Sequence, residues 1–365
     1  MEPSTTTTSN DETSVMKAVL VHEFTSNYET LDSISMSSFV SRPNLSKNSK
    51  SKDNIIIRVL ACSLSPGDCM MLSGRAIFLH PPKFPYIPGM DVCGVVEEVL
   101  LDSGAEFKKG DIVVANNGIF PVGGLAEYMC VQSSNAVRKP KNVSPIDAAA
   151  AASAVTALHA IHYVHAGDRV LILGGSGGVG TAAIQLAKRA GASFVAATST
   201  QKELCTNLGA DVVINYREQD WWTIQDYQDV KFDKIIDTVG GGFANSHNVL
   251  KMGEEGGYFV AVTGDDPKPD ASSWLKVIRF FAILPIRPIY TWLFKGSYPT
   301  YVAVFPHDVK NGLRTVLGLV DEGKLKIQQD PSSPFHFGED GVRQAFRTVG
   351  TSHAHGKCTV LVSEK

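Results

Sequence analysis

The chain has 365 residues, 44% hydrophobic and 19% charged, enough apolar material for about two globular domains. Its 34 basic and 37 acidic residues leave a net charge of −3. That balance argues against a polyanion binder, so no nucleic-acid partner is expected beyond a local patch at Lys47, Lys50 and Lys52. No uninterrupted apolar run reaches the roughly 20 residues of a membrane span. The six cysteines (Cys62, Cys69, Cys93, Cys130, Cys205 and Cys358) form neither a C-x-x-C pair nor a zinc lobe and read as reduced intracellular thiols.

Residues 1–15 are rich in Ser and Thr, with Glu2, Asp11 and Glu12 and no arginine. This composition predicts a disordered tail, unlike a signal or transit peptide, and the cytosol as the compartment. Met16 to His22 reads as the first strand, Ser41 to Asp53 as a polar loop, and Asn54 to Ser63 as a β-rich strand running into a turn at Ser65-Pro66-Gly67-Asp68. Further strands are expected after Pro88-Gly89, after Lys109-Gly110 and within Gly123 to Val131. Many short strands punctuated by Gly and Pro suggest a β-rich, barrel-like domain.

The composition shifts at Ile146 to Ala157, where Asp147 opens an alanine-rich helix. His159, His162 and His165 then lie three apart and read as a polar helix face rather than a metal site. Next come a short apolar run, Arg169 to Leu173, a glycine turn, and apolar residues at Ala183, Ile184, Ala187 and Ala190, at helical spacing as far as Gly191. Strand, turn and helix follow in the order that binds a dinucleotide. Gly175, Gly177 and Gly180 satisfy G-x-G-x-x-G, and the stretch Gly175-Ser176-Gly177-Gly178-Val179-Gly180 would cradle the pyrophosphate at the helix N-terminus.

From there strands alternate with helices: Phe194–Thr198, Val212–Asn215, Lys234–Asp237, Tyr258–Val262 and Tyr301–Phe305. The alternation predicts a doubly wound parallel sheet. The second strand ends in Ser199-Thr200-Gln201-Lys202, without the acid that holds a ribose 2′-hydroxyl. Ser199 and Lys202 suit a 2′-phosphate instead, so the cofactor is read as NADPH. Thr238, Val239, Val262 and Thr263 fall at strand ends on the nicotinamide side, and Asp237 reads equally as a site residue or a turn cap. Trp274 to Phe294 breaks the rhythm. It is dense in large apolar residues, interrupted by Pro285 and Pro288 and flanked by Lys276, Arg279, Arg287 and Lys295. It reads as a core-packing or dimer-contact insert, with a substrate lid and an interfacial membrane contact as alternatives. A helix over Val309 to Asp321 and a strand over Gly356 to Val362 close the chain.

Several motifs together carry a family resemblance: Ser65-Pro66-Gly67-Asp68, Ile87-Pro88-Gly89-Met90-Asp91-Val92-Cys93-Gly94, Thr156-Ala157, the glycine turn, Phe232 to Gly240, and His355-Gly356-Lys357. The chain resembles the zinc-independent, quinone oxidoreductase (zeta-crystallin-like) group of the medium-chain dehydrogenase/reductase superfamily. The closing pattern and the apolar insert look most like its reticulon-interacting branch, which makes the mitochondrion the alternative compartment.

The resemblance implies a β-rich GroES-like catalytic domain (residues 16–145 and 306–365) around a Rossmann NADP-binding domain (146–305). It implies NADPH-dependent reduction of quinones by hydride transfer, with reduction of enal, enone or enoyl double bonds, or non-catalytic NADPH sensing, as alternatives. It also brings Tyr216 to the 2′-phosphate, Thr156 near the cofactor phosphates, His353 and His355 to the cofactor from the catalytic domain, and Ser65 to the nicotinamide or substrate. Zinc relatives carry Gly-His-Glu where this chain has Gly89-Met90-Asp91, and no metal is expected. No side chain stands out as the proton donor; Tyr86 and Tyr128 are candidates, with ring packing the alternative. A homodimer remains open.

Overall fold

The structure, a computed structural model, describes residues 15–45, 54–77, 81–99, 106–116, 123–264, 266, 270, 272–305 and 307–364, apart from the side chains of 277 and 279–284. The expected tail at 1–14 and the lysine patch lie outside the described residues; Val15 already belongs to the first strand. In chain order the elements are β1 (Val15–Val21), β2 (Ile34–Ser41), β3 (Asn54–Leu64), α1 (Pro66–Leu72), β4 (Asp91–Val99), β5 (Ile112–Asn116), β6 (Tyr128–Gln132), β7 (Ala136–Arg138), α2 (Pro145–Ala149), α3 (Ala152–Ile161), β8 (Arg169–Leu173), α4 (Gly178–Arg189), β9 (Phe194–Thr198), α5 (Lys202–Asn207), β10 (Val212–Ile214), α6 (Gln225–Asp229), β11 (Lys234–Asp237), α7 (Phe243–Ser246), β12 (Tyr258–Ala261), α8 (Trp274–Leu293), β13 (Thr300–Ala303), α9 (Val309–Asp321), β14 (Phe335–His336), α10 (Glu339–Gly350) and β15 (Cys358–Leu361).

Two sheets organise these elements. One is six-stranded and parallel, in the order β10-β9-β8-β11-β12-β13. Its order reverses at β8, and the crevice there, outside the carboxyl ends of the strands, is where such sheets take ligands. Every residue of β11 is buried, and so are Val170 to Leu173 of β8, as expected of strands covered by helices on both faces. The other sheet runs β14-β15-β3-β4-β5-β7, with β6 also on β3. It is completed from the far end of the sequence: Cys358 to Leu361 pair antiparallel with Leu64 to Ala61. The β1–β2 ribbon is tied to it by bridges from Ala18 to Ala126 and Val21 to Tyr86.

The structure departs from the sequence reading at several places. The alanine-rich helix is two helices, and its cap is Ser144, whose Oγ accepts from Asp147 N at 3.1 Å; Asp147 itself lies in the first turn. The three histidines share no helix face, because α3 ends at Ile161. His159 stacks on His307 at 4.5 Å, and His165 lies beside Asp168. Ser41 belongs to β2, a strand the sequence did not suggest. The apolar insert is one long helix, and the side chains described on it are mostly exposed. Pro285 and Pro288 sit inside α8. Three residues apart, they confine the missing N–H groups to one side of it.

The start of α4 is packed hard onto the turn before it: a Cβ at Gly180 would fall 2.1 Å from the Gly174 carbonyl oxygen. Gly180→Ala is therefore expected to lower unfolding stability by about 1–3 kcal/mol, read as a lower urea midpoint. An unchanged midpoint would remove this contact from the account.

Candidate active site

The glycine turn joins β8 to α4, and each glycine answers a different constraint. Gly174 has φ +81°, and a side chain there would meet Thr238 Oγ1 and Val239 Cγ2 at 2.7 Å. The tight turn is thus made at Gly174, one residue ahead of the fingerprint. Gly175 faces the Ala197 methyl at 2.8 Å and Gly180 packs on Gly174, whereas a Cβ at Gly177 would find nothing closer than 3.6 Å. Gly177 is therefore the open floor of the turn, where a ligand's phosphates can approach backbone. Thr198 clamps the turn, its Oγ1 accepting from Gly174 N (3.0 Å) and its carbonyl from Gly175 N (2.9 Å). The first bond within α4 runs from Thr181 N to Gly177 O, so the N–H groups of Gly178, Val179 and Gly180 stand outside the helix's own ladder, the arrangement with which a helix N-terminus can receive an anion. Ser176 completes the turn. Thr156 is half-buried on α3, which packs along α4.

At the end of β9 the predicted residues separate. Ser199 is buried, and its Oγ accepts from Gln201 N at 2.9 Å, in the turn that ends β9. Lys202 is exposed at the start of α5 and Tyr216 is half exposed. These two reach solvent at that edge.

On the other side of β8, Asp237 is completely buried. Its carboxylate accepts from Val239 N (2.9 Å), Gly240 N (2.8 Å) and Gly242 N (2.9 Å). The geometry assigns it to the turn. Thr238 Oγ1 donates to Leu173 O at 2.7 Å, which leaves the Val239 side chain exposed at the strand ends. Val262 continues β12 by donating to Asp237 O. Thr263 Oγ1 beside it is buried and has no hydrogen-bond partner among the described residues.

The catalytic sheet reaches this crevice through the closing segment. Gly356, at φ +113°, forms an isolated parallel bridge with Gly177. Lys357 follows. Its aliphatic stem lies where a Cβ on Gly178 would be 2.7 Å away, its Nζ donates to Leu64 O at 3.0 Å, and Asp91 Oδ2 is 3.9 Å from the ammonium. Neither Lys357 nor Asp91 reaches solvent. His355 is held by its backbone N–H on Asp330 Oδ2 (2.8 Å), while His353 is exposed.

Ser65 follows Leu64, whose carbonyl accepts from Lys357 Nζ. Ser65 caps α1, and Asp68 Oδ2 accepts from its N (2.8 Å) and its Oγ (3.0 Å). Burial, and then the nearby Asp91 charge, push the Asp68 carboxyl up to about 7, against the pull of the Ser65 bonds and Lys357. Burial also raises Asp91, opposed by Lys357 and by a hydrogen bond from Asn116. Sequence reasoning passed over Lys357 and Asp91, although both lie in motifs that it singled out. Tyr86 is buried beside Asp68, its hydroxyl without a hydrogen-bond partner among the described residues; Tyr128 carries the Arg42 guanidinium over its ring at 3.8 Å. Among the described residues, no three His, Cys, Asp or Glu side chains are placed to hold a metal ion.

The raised Asp68 carboxyl has a consequence for stability. The folded state holds this proton up to about pH 7, whereas an unfolded chain releases it near pH 4. Between those values the folded form binds the extra proton, so this group's contribution falls as pH rises. Asp68→Asn, which keeps an acceptor for Ser65, should gain in melting temperature relative to the parent between pH 5 and pH 8, by roughly the few degrees that 1 kcal/mol produces. A difference that does not change with pH would overturn the assignment.

Residues 51–141 match the alcohol dehydrogenase GroES-like domain, and residues 208–360 the zinc-binding dehydrogenase family. An NADPH-dependent alkenal/one oxidoreductase from the chloroplast of Arabidopsis thaliana is 33% identical over 92% of this chain and 78% of its own length. The mitochondrial NAD(P)H oxidoreductase RTN4IP1 of Mus musculus is 31% identical over 85% of this chain and 82% of its own. The quinone oxidoreductase structure from Coxiella burnetii superposes with a TM-score of 0.75 at 27% identity, over 96% of this chain and all of its own. On that coverage, and with the glycine cradle and the returning C-terminal strand in place, the chain belongs to the quinone oxidoreductase group of the medium-chain dehydrogenase/reductase superfamily.

Proposed function

We propose that the protein reduces quinones with NADPH, in the crevice between the glycine turn and the Gly356–Lys357 segment. The open floor at Gly177 carries this reading, since a cradle that any Cβ would begin to fill is what a bound pyrophosphate requires. When bound, the cofactor supplies the hydride. The start of α4 holds the pyrophosphate by N–H groups and helix dipole. Lys202, with Tyr216 beside it, meets the 2′-phosphate. Asp237 fixes the turn that presents Thr238 and the apolar Val239 to the nicotinamide side, and Val262 and Thr263 bound the same space. Thr156, His353 and His355 border the cofactor from the flanks. Ser65 Oγ and Asp68 Oδ2 hold a proton at the crevice wall. No metal takes part in this reading, and residues 16–145 with 306–365 form the catalytic domain around the nucleotide-binding domain at 146–305.

A second reading, reduction of the double bond of alkenals and enones, is supported by the names of two relatives: the alkenal/one oxidoreductase above and a 2-methylene-furan-3-one reductase of Solanum lycopersicum, 32% identical over 91% of this chain. Both acceptor classes are conjugated carbonyls that take a hydride at an electron-poor atom. We place the protein in the cytosol; the compartments named for relatives are chloroplast and mitochondrion, so imaging of the full chain decides the matter.

The test is NADPH oxidation by purified protein with quinones and alkenals in parallel, beside NADH and with a chelator present. Turnover with NADPH that survives the chelator is expected, and the faster acceptor class identifies the substrate. NADPH binding without turnover on either class would overturn the enzyme in favour of a sensor, and loss to chelator would restore a metal. Lys202→Glu should raise the KM for NADPH about tenfold or more, the scale of one charge-assisted hydrogen bond, and leave NADH little changed. Equal effects on the two cofactors would move the 2′-phosphate site elsewhere. Gly177→Ala should melt like the parent yet bind NADPH at least tenfold more weakly, because its methyl projects into the cradle and not into the protein.

A further inference from the structure

Helix α8 stands apart from every other long helix here. The apolar residues of α9 and α10 are buried: Leu313, Val316 and Leu317 in one, Val342, Ala345 and Phe346 in the other. On α8 the reverse holds, with Leu275 80% exposed and Trp292 68%. Trp274, Leu275, Ile278, Ile289, Trp292 and Leu293 are all exposed. At a helical turn of about 100° per residue they fall within an arc of roughly 100°. Thr291 is on the other side of the helix, fully buried, where its Oγ1 accepts from Tyr301 N of β13 at 3.1 Å. The helix is thus anchored by its back and presents apolar side chains outward toward both of its ends. Isolated exposed apolar residues are ordinary, but a stripe of this length on one face marks an interaction surface.

The charge of the segment selects the occupant. From Trp274 to Phe305 the sequence has Lys276, Arg279, Arg287 and Lys295 and no Asp or Glu, within a chain of net charge −3. Lys276 pairs with Asp270 just ahead of the helix (2.7 Å), Arg287 lies over the Phe243 ring, and Lys295 is exposed. In a two-fold contact with a second copy the same patch meets itself. That would bring this basic segment against its own image, with no acid on the helix to answer. A surface that is apolar below and anionic above suits both features. Tryptophan toward each end of the helix also matches the place this side chain takes at a membrane boundary. Among the described residues no helix is long and apolar enough to cross a membrane; α8 suits lying along one.

We infer that the exposed face of α8 docks on the surface of an anionic lipid bilayer. The helix follows β12 in the chain, a short loop beyond Val262 and Thr263, so docking brings the crevice close to the layer into which apolar quinones and alkenals partition. That last consequence rests on the proposed activity, whereas the docking itself does not.

The experiment is flotation of the full chain with vesicles of phosphatidylcholine alone and with equal parts of phosphatidylglycerol. The comparison is the double variant Leu275→Asp with Ile289→Asp, both at exposed positions. Thermal unfolding checks that the variant is folded, and no turnover is needed, so failure of the activity and failure of the docking are read separately. The parent should float with the anionic vesicles at least tenfold more than with the neutral ones, and the folded variant should lose that binding. Equal recovery of parent and variant, or no flotation of the parent, would overturn the inference. So would a dimer of the parent, measured by light scattering, that the same two substitutions dissolve, since that would assign the face to a second copy.

Discussion

A buried lysine joins the two halves of this molecule. Lys357 passes its hydrocarbon stem over Gly178 at the start of the nucleotide-binding helix and sets its ammonium among Leu64 O and Asp91 on the other sheet. An ammonium out of water is costly unless charge and hydrogen bonds answer it. Asp91 supplies the charge, and Asn116 helps keep it ionised. The arrangement has a further cost at Asp68, whose carboxyl shares the neighbourhood with Asp91 and binds its proton more tightly as a result. Glycine at 178 and at 356 is part of the same contact. One leaves room for the lysine, and the other takes a left-handed backbone with the Gln328 carbonyl 2.4 Å from where a Cβ would stand. The crevice exists because this segment returns from the end of the chain to close it.

Much of this was legible in the sequence because it depends on local pattern. The strands Phe194–Thr198 and Lys234–Asp237 and the helix Val309–Asp321 stand at the residues expected, since short apolar runs between glycines and an amphipathic repeat are local signals. The glycine fingerprint located the crevice for the same reason. What was missed depends on contacts distant in sequence. Gly174 takes the tight turn because Thr238 and Val239 crowd it from β11. Lys357 lay within a motif that the sequence singled out, but its role did not show because its partners are 266 and 293 residues away in the chain. The bond by which Ser199 Oγ accepts from Gln201 N depends on the shape of the turn behind β9, which sequence alone does not show. The prolines of α8 suggested an interruption because sequence alone does not show that both fall on one side of a helix anchored through Thr291.

The division of labour at the crevice follows from burial. Asp237, Ser199 and Thr238 lie at its edge, yet each has its side chain engaged with backbone. They hold the turns in place, whereas Lys202 and Val239 have their side chains open to solvent. A rigid frame with a few exposed contacts loses little conformational freedom when a ligand arrives, which is the cheapest way for a site to bind.

The bond from Tyr301 N to Thr291 Oγ1 also bears on how the six-stranded sheet ends. β13 is its last strand, and the outer rim of a sheet is a template on which a foreign strand can add. Here an outward-facing N–H of that rim is taken by a side chain from a helix lying alongside. At this position α8 stands where an added strand would have to pair, one of the ways a sheet edge is kept from growing. The same helix that leaves an apolar stripe facing outward shields the backbone behind it.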